Sequence, residues 1–122
     1  MPGPTALRLT TVLDCPDPVA LADFYRRVMD LPVEAREENG GEWVTMETPI
    51  GRVAFQRVAD YVAPTWPQGP HPQMQHLDFQ VADLDAGHER LLGLGVPVLD
   101  ESHVPDFRVY ADPAGHPFCL TR

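Results

Sequence analysis

The sequence contains no lysine. All nine of its cationic side chains are arginine, set against 18 aspartates and glutamates. Schiff-base formation and lysine general-base catalysis are therefore excluded, because both need a primary amine that can shed its proton. The formal net charge of −9 argues against nucleic acid and anionic membranes, which are bound by basic faces that displace counterions. Only two cysteines occur, Cys15 and Cys119. They suit neither a disulfide framework nor a Cys-x-x-Cys metal motif, and read as reduced, small core residues. No apolar run reaches the length of a signal peptide or a bilayer span, so a cytoplasmic protein is expected. Small organic molecules are the partners that remain.

The 122 residues suit a single domain that buries roughly two-thirds of its unfolded surface. Any internal repeat must then share one core. The stretch from Gln75 to Leu92 sets the plan. Leu77, Phe79 and Val81 alternate with His76, Asp78 and Gln80, which predicts a strand with one apolar and one polar face. Asp83 is placed to cap the following helix, predicted over 84–94, with Leu84, Leu91 and Leu92 on one side and Gly95 as a left-handed stop. His88 and Glu89 are expected on the exposed side of that helix.

The same design occurs near the N-terminus. Leu7 to Leu13 reads as a strand, and Asp17-Pro18 as a cap followed by proline at the first helical position. Leu21, Phe24, Tyr25 and Val28 fall at i, i+3, i+4 and i+7, the stripe of a helix packed on a sheet. Strands are then predicted over 32–36, 43–47 and 52–58, the first two joined at Asn39-Gly40, whose residues tolerate positive φ. Strands over 96–99, 107–111 and 117–121 follow the second helix. Asp17 corresponds to Asp83, Pro32 to Pro97, and Thr48-Pro49-Ile50-Gly51 to Asp112-Pro113-Ala114-Gly115.

The expected fold is thus α+β: two tandem βαβββ modules, about 7–59 and 75–122, joined by a proline-rich linker over 60–74. A curved mixed sheet would enclose a cleft, with the helices outside. Strand parity then points Thr10, Val12, His76, Asp78 and Gln80 into the cleft. Trp66, in the linker, reads either as a hydrophobic pin or as an aromatic wall over the pocket.

Paired βαβββ modules with these residues at this spacing resemble the vicinal oxygen chelate superfamily, which includes glyoxalase I, extradiol dioxygenases and bleomycin-resistance proteins. Asp17-Pro18 with Phe24-Tyr25, His76 with Asp83-Leu84-Asp85, and Asp112-Pro113-Ala114-Gly115 before a final strand carry the resemblance. It implies metal ligands on the first and last strand of each module. Matched motif to motif, those positions are Thr10, Phe55, His76 and Cys119, so His76 and Cys119 are the only plausible ligands and no metal or other cofactor is expected. A zinc site completed by Asp78 is the alternative. The resemblance also implies a homodimer. The reading is a small-molecule-binding protein whose cleft is lined by His76, Asp78, Gln80, Thr10, Val12, Phe55, Cys119 and Trp66. A metal-dependent lyase, isomerase or dioxygenase with an atypical ligand set is the alternative function.

Overall fold

A computed structural model describes residues 6–122. The chain divides into two compact units, residues 1–61 and 62–122, and each is βαβββ. In the first, β1 (Thr11–Cys15), α1 (Pro18–Met29), β2 (Glu34–Glu38), β3 (Trp43–Thr48) and β4 (Gly51–Arg57) form a sheet of order β1-β4-β3-β2. β1 runs parallel to β4 and the other neighbours are antiparallel. α1 begins where Asp17 Oδ1 accepts from the Ala20 amide at 3.2 Å, with Pro18 at a position that needs no N–H. It ends at Asp30 in the left-handed conformation. Leu21, Tyr25 and Val28 are buried, and α1 packs on β3 and β4. Asn39, Gly40 and Gly41 all have positive φ and form a short 3-10 turn between β2 and β3.

β1 begins at Thr11, not Leu7, and runs on to Cys15. Its register sets Thr11 opposite Val53, so residues before Leu9 have no part of β4 beside them. Leu7 is accordingly exposed, and Leu9, level with the end of β4 at Gly51, is exposed as well.

The second unit contains β5 (Leu77–Gln80), α2 (Leu84–Gly93), β6 (Val98–Asp100), β7 (Phe107–Ala111) and β8 (Pro117–Thr121) in the order β5-β8-β7-β6. β5 is parallel to β8, and β7 is antiparallel to both β8 and β6. Asp83 Oδ1 accepts from the Ala86 amide at 3.0 Å, repeating the Asp17 cap. After β7 the chain turns around the buried Asp112, whose Oδ1 accepts from the amides of Ala114 and His116, both at 2.9 Å. Its Oδ2 lies 2.7 Å from His116 Nδ1. Thr48 has the matching role in the first unit, accepting from the Ile50 amide at 3.2 Å.

Between β4 and β5, the proline-rich segment folds back on itself. Thr65 and His71 are tied by the bond from the Thr65 amide to the His71 carbonyl at 2.6 Å and by that from the His71 amide to Thr65 Oγ1 at 3.1 Å. Gly69 closes this turn against the Thr65 side chain, where a Cβ would collide. No helix among the described residues is long and apolar enough to cross a membrane.

Candidate functional site

The second sheet has two unlike faces, and β5 shows why. Leu77 lies opposite Phe118, and Phe79 opposite Leu120. These residues face α2, where Phe79 meets Phe118 edge-on with centroids 6.0 Å apart and Phe118 stacks on Tyr110 at 5.6 Å. Because successive side chains point to opposite faces, Asp78 and its partner Cys119 emerge on the other side, as do Gln80 and Thr121. His76, just before β5, turns the same way and sets Nε2 3.1 Å from Asp78 Oδ1.

Three of the residues expected in the site thus come together. The Cys119 thiol is hydrogen-bonded to Asp78, so the carboxylate is shared between a thiol and an imidazole. Cys119 is buried while His76 and Asp78 are open to solvent. Burial pushes the thiol pKa up to about 12, with the Asp78 charge and hydrogen bond adding to the shift. Desolvation and a nearby anion both oppose thiolate formation, and a carboxylate that accepts the S–H bond holds the proton in place. At neutral pH Cys119 is a proton donor and not a nucleophile. Gln80 is exposed at the far end of β5.

One donor atom from each of His76, Asp78 and Cys119 lies within 4.8 Å of the others. In donor type this trio fits an open three-ligand zinc site. The four-position set that the superfamily resemblance implies is not present among the described residues. In the first unit Val12 lies opposite Ala54 and Leu13 opposite Phe55, so the counterpart of the Asp78–Cys119 pair is Val12–Ala54, and neither residue offers a donor.

That register corrects the placement of Phe55. It was expected on the face opposite the helix, yet it is fully buried and stacks on Tyr25 of α1, with ring centroids 5.8 Å apart and planes at 13°. Counting from the turn glycine misplaced it: Ala54, the partner of Val12, is the third residue after Gly51, whereas Cys119, the partner of Asp78, is the fourth after Gly115. The extra residue shifts every later side chain to the other face. Val12 does emerge on the face away from α1, 40% exposed. Thr10 precedes β1 and is half-buried, and Trp66 is half-buried in the segment between β4 and β5.

Sequence reasoning missed the rest of the open face. Val109 of β7 lies opposite Cys119 and also opposite Asp100 of β6, where a register shift turns the Asp100 side chain to this side. His103 Nε2 is 3.5 Å from Asp100 Oδ2, and the His103 ring stacks on Phe107 at 4.5 Å and 11°. The Ser102 side chain and amide hydrogen-bond to Asp100 and hold its carboxyl below the usual range, with His103 adding a smaller effect. A second His–Asp pair, backed by an aromatic ring, thus lies on the same sheet face as His76–Asp78. The available signal was the three-residue spacing of Asp100 and His103.

His88 corrects another expectation. It is buried on the α2 face: Nδ1 is 2.9 Å from the Tyr110 hydroxyl and Nε2 is 3.1 Å from Glu101 Oε1. Leu84, His88 and Leu91 form the buried stripe, and Leu92 is 44% exposed. Arg108, also buried, reaches Glu101 at 3.4 Å and Asp85 at 3.2 Å. This network ties α2 to the β6–β7 loop and is separate from the His76 face.

A family model described as a glyoxalase-like domain matches residues 10–121. Among solved structures, a possible glyoxalase from Bacillus cereus superposes with a TM-score of 0.72 at 15% identity, covering 98% of this chain and 100% of that one. Lactoylglutathione lyase from Agrobacterium tumefaciens gives a TM-score of 0.65 at 22% identity, covering 97% and 93%. Glyoxalase I from Leishmania major gives 0.67 at 14% identity, covering 97% and 87%. At these identities the likeness is one of fold. A comparison of the sequence with the curated proteins finds no match.

Proposed function

This chain belongs to the glyoxalase-like domain family, and on that premise we propose that it is a metal-free small-molecule-binding protein. It holds an organic ligand against the open face of its second sheet, acts in the cytoplasm and assembles as a homodimer. The pairing of Cys119 with Asp78 carries this reading. Asp78 meets His76 at 3.1 Å and is hydrogen-bonded by the Cys119 thiol, so the three groups satisfy one another, and a metal would have to break both contacts to bind.

Recognition is by hydrogen bonds at one end of the face and apolar contact across it. Asp78 and His76 accept or donate to polar groups of the ligand, and Gln80 supplies an amide beside them. Phe107, half-buried beside the His103 ring, adds apolar surface, which provides most of the affinity in such sites. A ligand with hydroxyl or amide groups on a flat apolar body suits this pattern.

The test is a thermal-shift screen of phenols and aromatic amides, followed by calorimetry on the compounds that stabilise the protein. His76→Ala and Asp78→Asn should each weaken binding by about tenfold, which corresponds to 1.4 kcal/mol, with little change in melting temperature. Compounds that bind the variants as tightly as the parent would remove these residues from the site.

The clustering of three donor atoms within 4.8 Å supports a second reading, a metal-dependent lyase, isomerase or dioxygenase. His76, Asp78 and Cys119 would hold the ion, which would supply Lewis-acid polarisation of substrate oxygens. Asp78 would then lose its hydrogen bond from Cys119, because the thiol would have to give up its proton.

A further inference from the structure

We infer that Asn39 is a site of spontaneous covalent modification, deamidation with isomerisation, and that the isoaspartyl product frees the edge strand β2 from β3. Asn39 is the only asparagine in the chain and is followed by glycine. With no Cβ, glycine puts the least bulk in the way of its own amide nitrogen when that nitrogen approaches the preceding side chain. Asn39 and Gly40 are both exposed, and the Asn39 side-chain amide has no hydrogen bond among the described residues.

The chemistry needs only water. The Gly40 backbone nitrogen adds to Cγ of Asn39, the Cγ–Nδ2 bond breaks, and ammonia leaves with the proton that the Gly40 nitrogen gives up. The cyclic succinimide then takes up a water molecule. Opening at the bond from Cγ to the Gly40 nitrogen leaves aspartate. Opening at the bond from the Asn39 carbonyl carbon to the same nitrogen leaves isoaspartate, in which the chain runs through the former side chain and is longer by an atom.

The turn lets the attack happen. Asn39 is held at φ 54° and Gly40 at φ 66°, and the backbone must rotate to bring the Gly40 nitrogen onto Cγ. Little resists that rotation. The Glu42 amide meets the Asn39 carbonyl at a long 3.3 Å, and no side chain caps the turn. All five residues of β2 are exposed, and the strand has a neighbour on one side only. Openings of such solvent-exposed segments cost little free energy.

The product acts through register. Glu38 lies opposite Trp43, and Arg36 opposite Thr45, an alignment that the length of the turn fixes. Aspartate keeps that length and tolerates the left-handed conformation as asparagine does, so it leaves the hairpin intact. Isoaspartate lengthens the backbone inside the turn, which then cannot join Glu38 to Trp43 in the same alignment. With β3 as its sole partner, β2 comes away.

The test keeps the intact protein warm at mildly alkaline pH, follows Asn39 by peptide mapping, and separates the aspartyl and isoaspartyl forms by chromatography. Conversion in the folded chain should run within about tenfold of its rate in a free peptide of residues 36–43, a slowing that corresponds to an opening cost of about 1.4 kcal/mol. Hydrogen exchange over 34–38 should be at least about tenfold faster in the isoaspartyl form than in the parent. Asn39→Asp, measured fresh, should exchange like the parent, and Asn39→Gln should not convert under the same conditions. Slowing beyond about tenfold, or exchange over 34–38 unchanged in the isoaspartyl form, would overturn the proposal. Equally fast exchange in Asn39→Asp would also overturn it, because the loosening would then come from the added charge and not from chain length.

Discussion

Asp78 and Cys119 face each other across the parallel β5–β8 ladder, and the thiol of one is hydrogen-bonded to the carboxylate of the other. Removing the carboxylate charge should release the thiol. In Asp78→Asn the Cys119 pKa should fall below its value of about 12, leaving burial as the main cause of any remaining upward shift. Thiolate absorbance followed against pH measures this directly. An unchanged titration would mean that Asp78 does not control the thiol.

Alkaline pH should weaken the fold. Burial raises the pKa of Cys119 from 9.0 to about 12 and that of Tyr110 from 10.0 to about 12. Each group is thus still protonated in the native state over a range in which the unfolded chain has lost its proton. The native state binds more protons there, so stability falls as pH rises. The contribution is complete below about pH 9 and is lost between roughly pH 9 and 12. Denaturant midpoints measured across this range should fall continuously, and a flat profile would contradict the placement of both groups.

Phe55 should matter to stability and not to the open sheet face. Its ring stacks on Tyr25 in a fully buried contact, so Phe55→Ala should cost about 3–5 kcal/mol in unfolding free energy. Folded variant protein should retain the affinity of the parent for any compound bound through His76. A loss of affinity matching that of His76→Ala would place Phe55 back in the site.

Asp112 anchors the turn before β8 through two backbone amides and His116. Asp112→Ala leaves those donors without their acceptor and should cost about 2–4 kcal/mol, read as a lower urea midpoint. A cost below about 0.5 kcal/mol, typical of a neutral surface change, would show that the turn holds without it.

The repeat was legible in the sequence because its markers are local: Asp17 and Asp83 cap their helices, and Thr48 and Asp112 organise corresponding turns. The facing of β5 was legible because Leu77, Phe79 and Val81 alternate strictly. Phe55 was misplaced because the two turns differ by one residue after their glycines, and only the ladder with β1 reveals the shift. His88 was misplaced because a polar residue inside a helical stripe reads as solvent-facing until its partners, Tyr110 and Glu101, are known. Asp100 and His103 were missed because the register shift that turns Asp100 to the open face leaves no periodic signal.

Zinc binding to protein without an affinity tag, stripped with chelator and returned to pH 7, is the most direct test of the metal-free reading. Equilibrium dialysis at sub-micromolar free zinc should show far less than one ion per chain, because binding must displace the Cys119 proton and break its bond to Asp78. About one tightly bound ion per chain, lost in both His76→Ala and Cys119→Ser, would contradict that reading and make His76, Asp78 and Cys119 a metal centre.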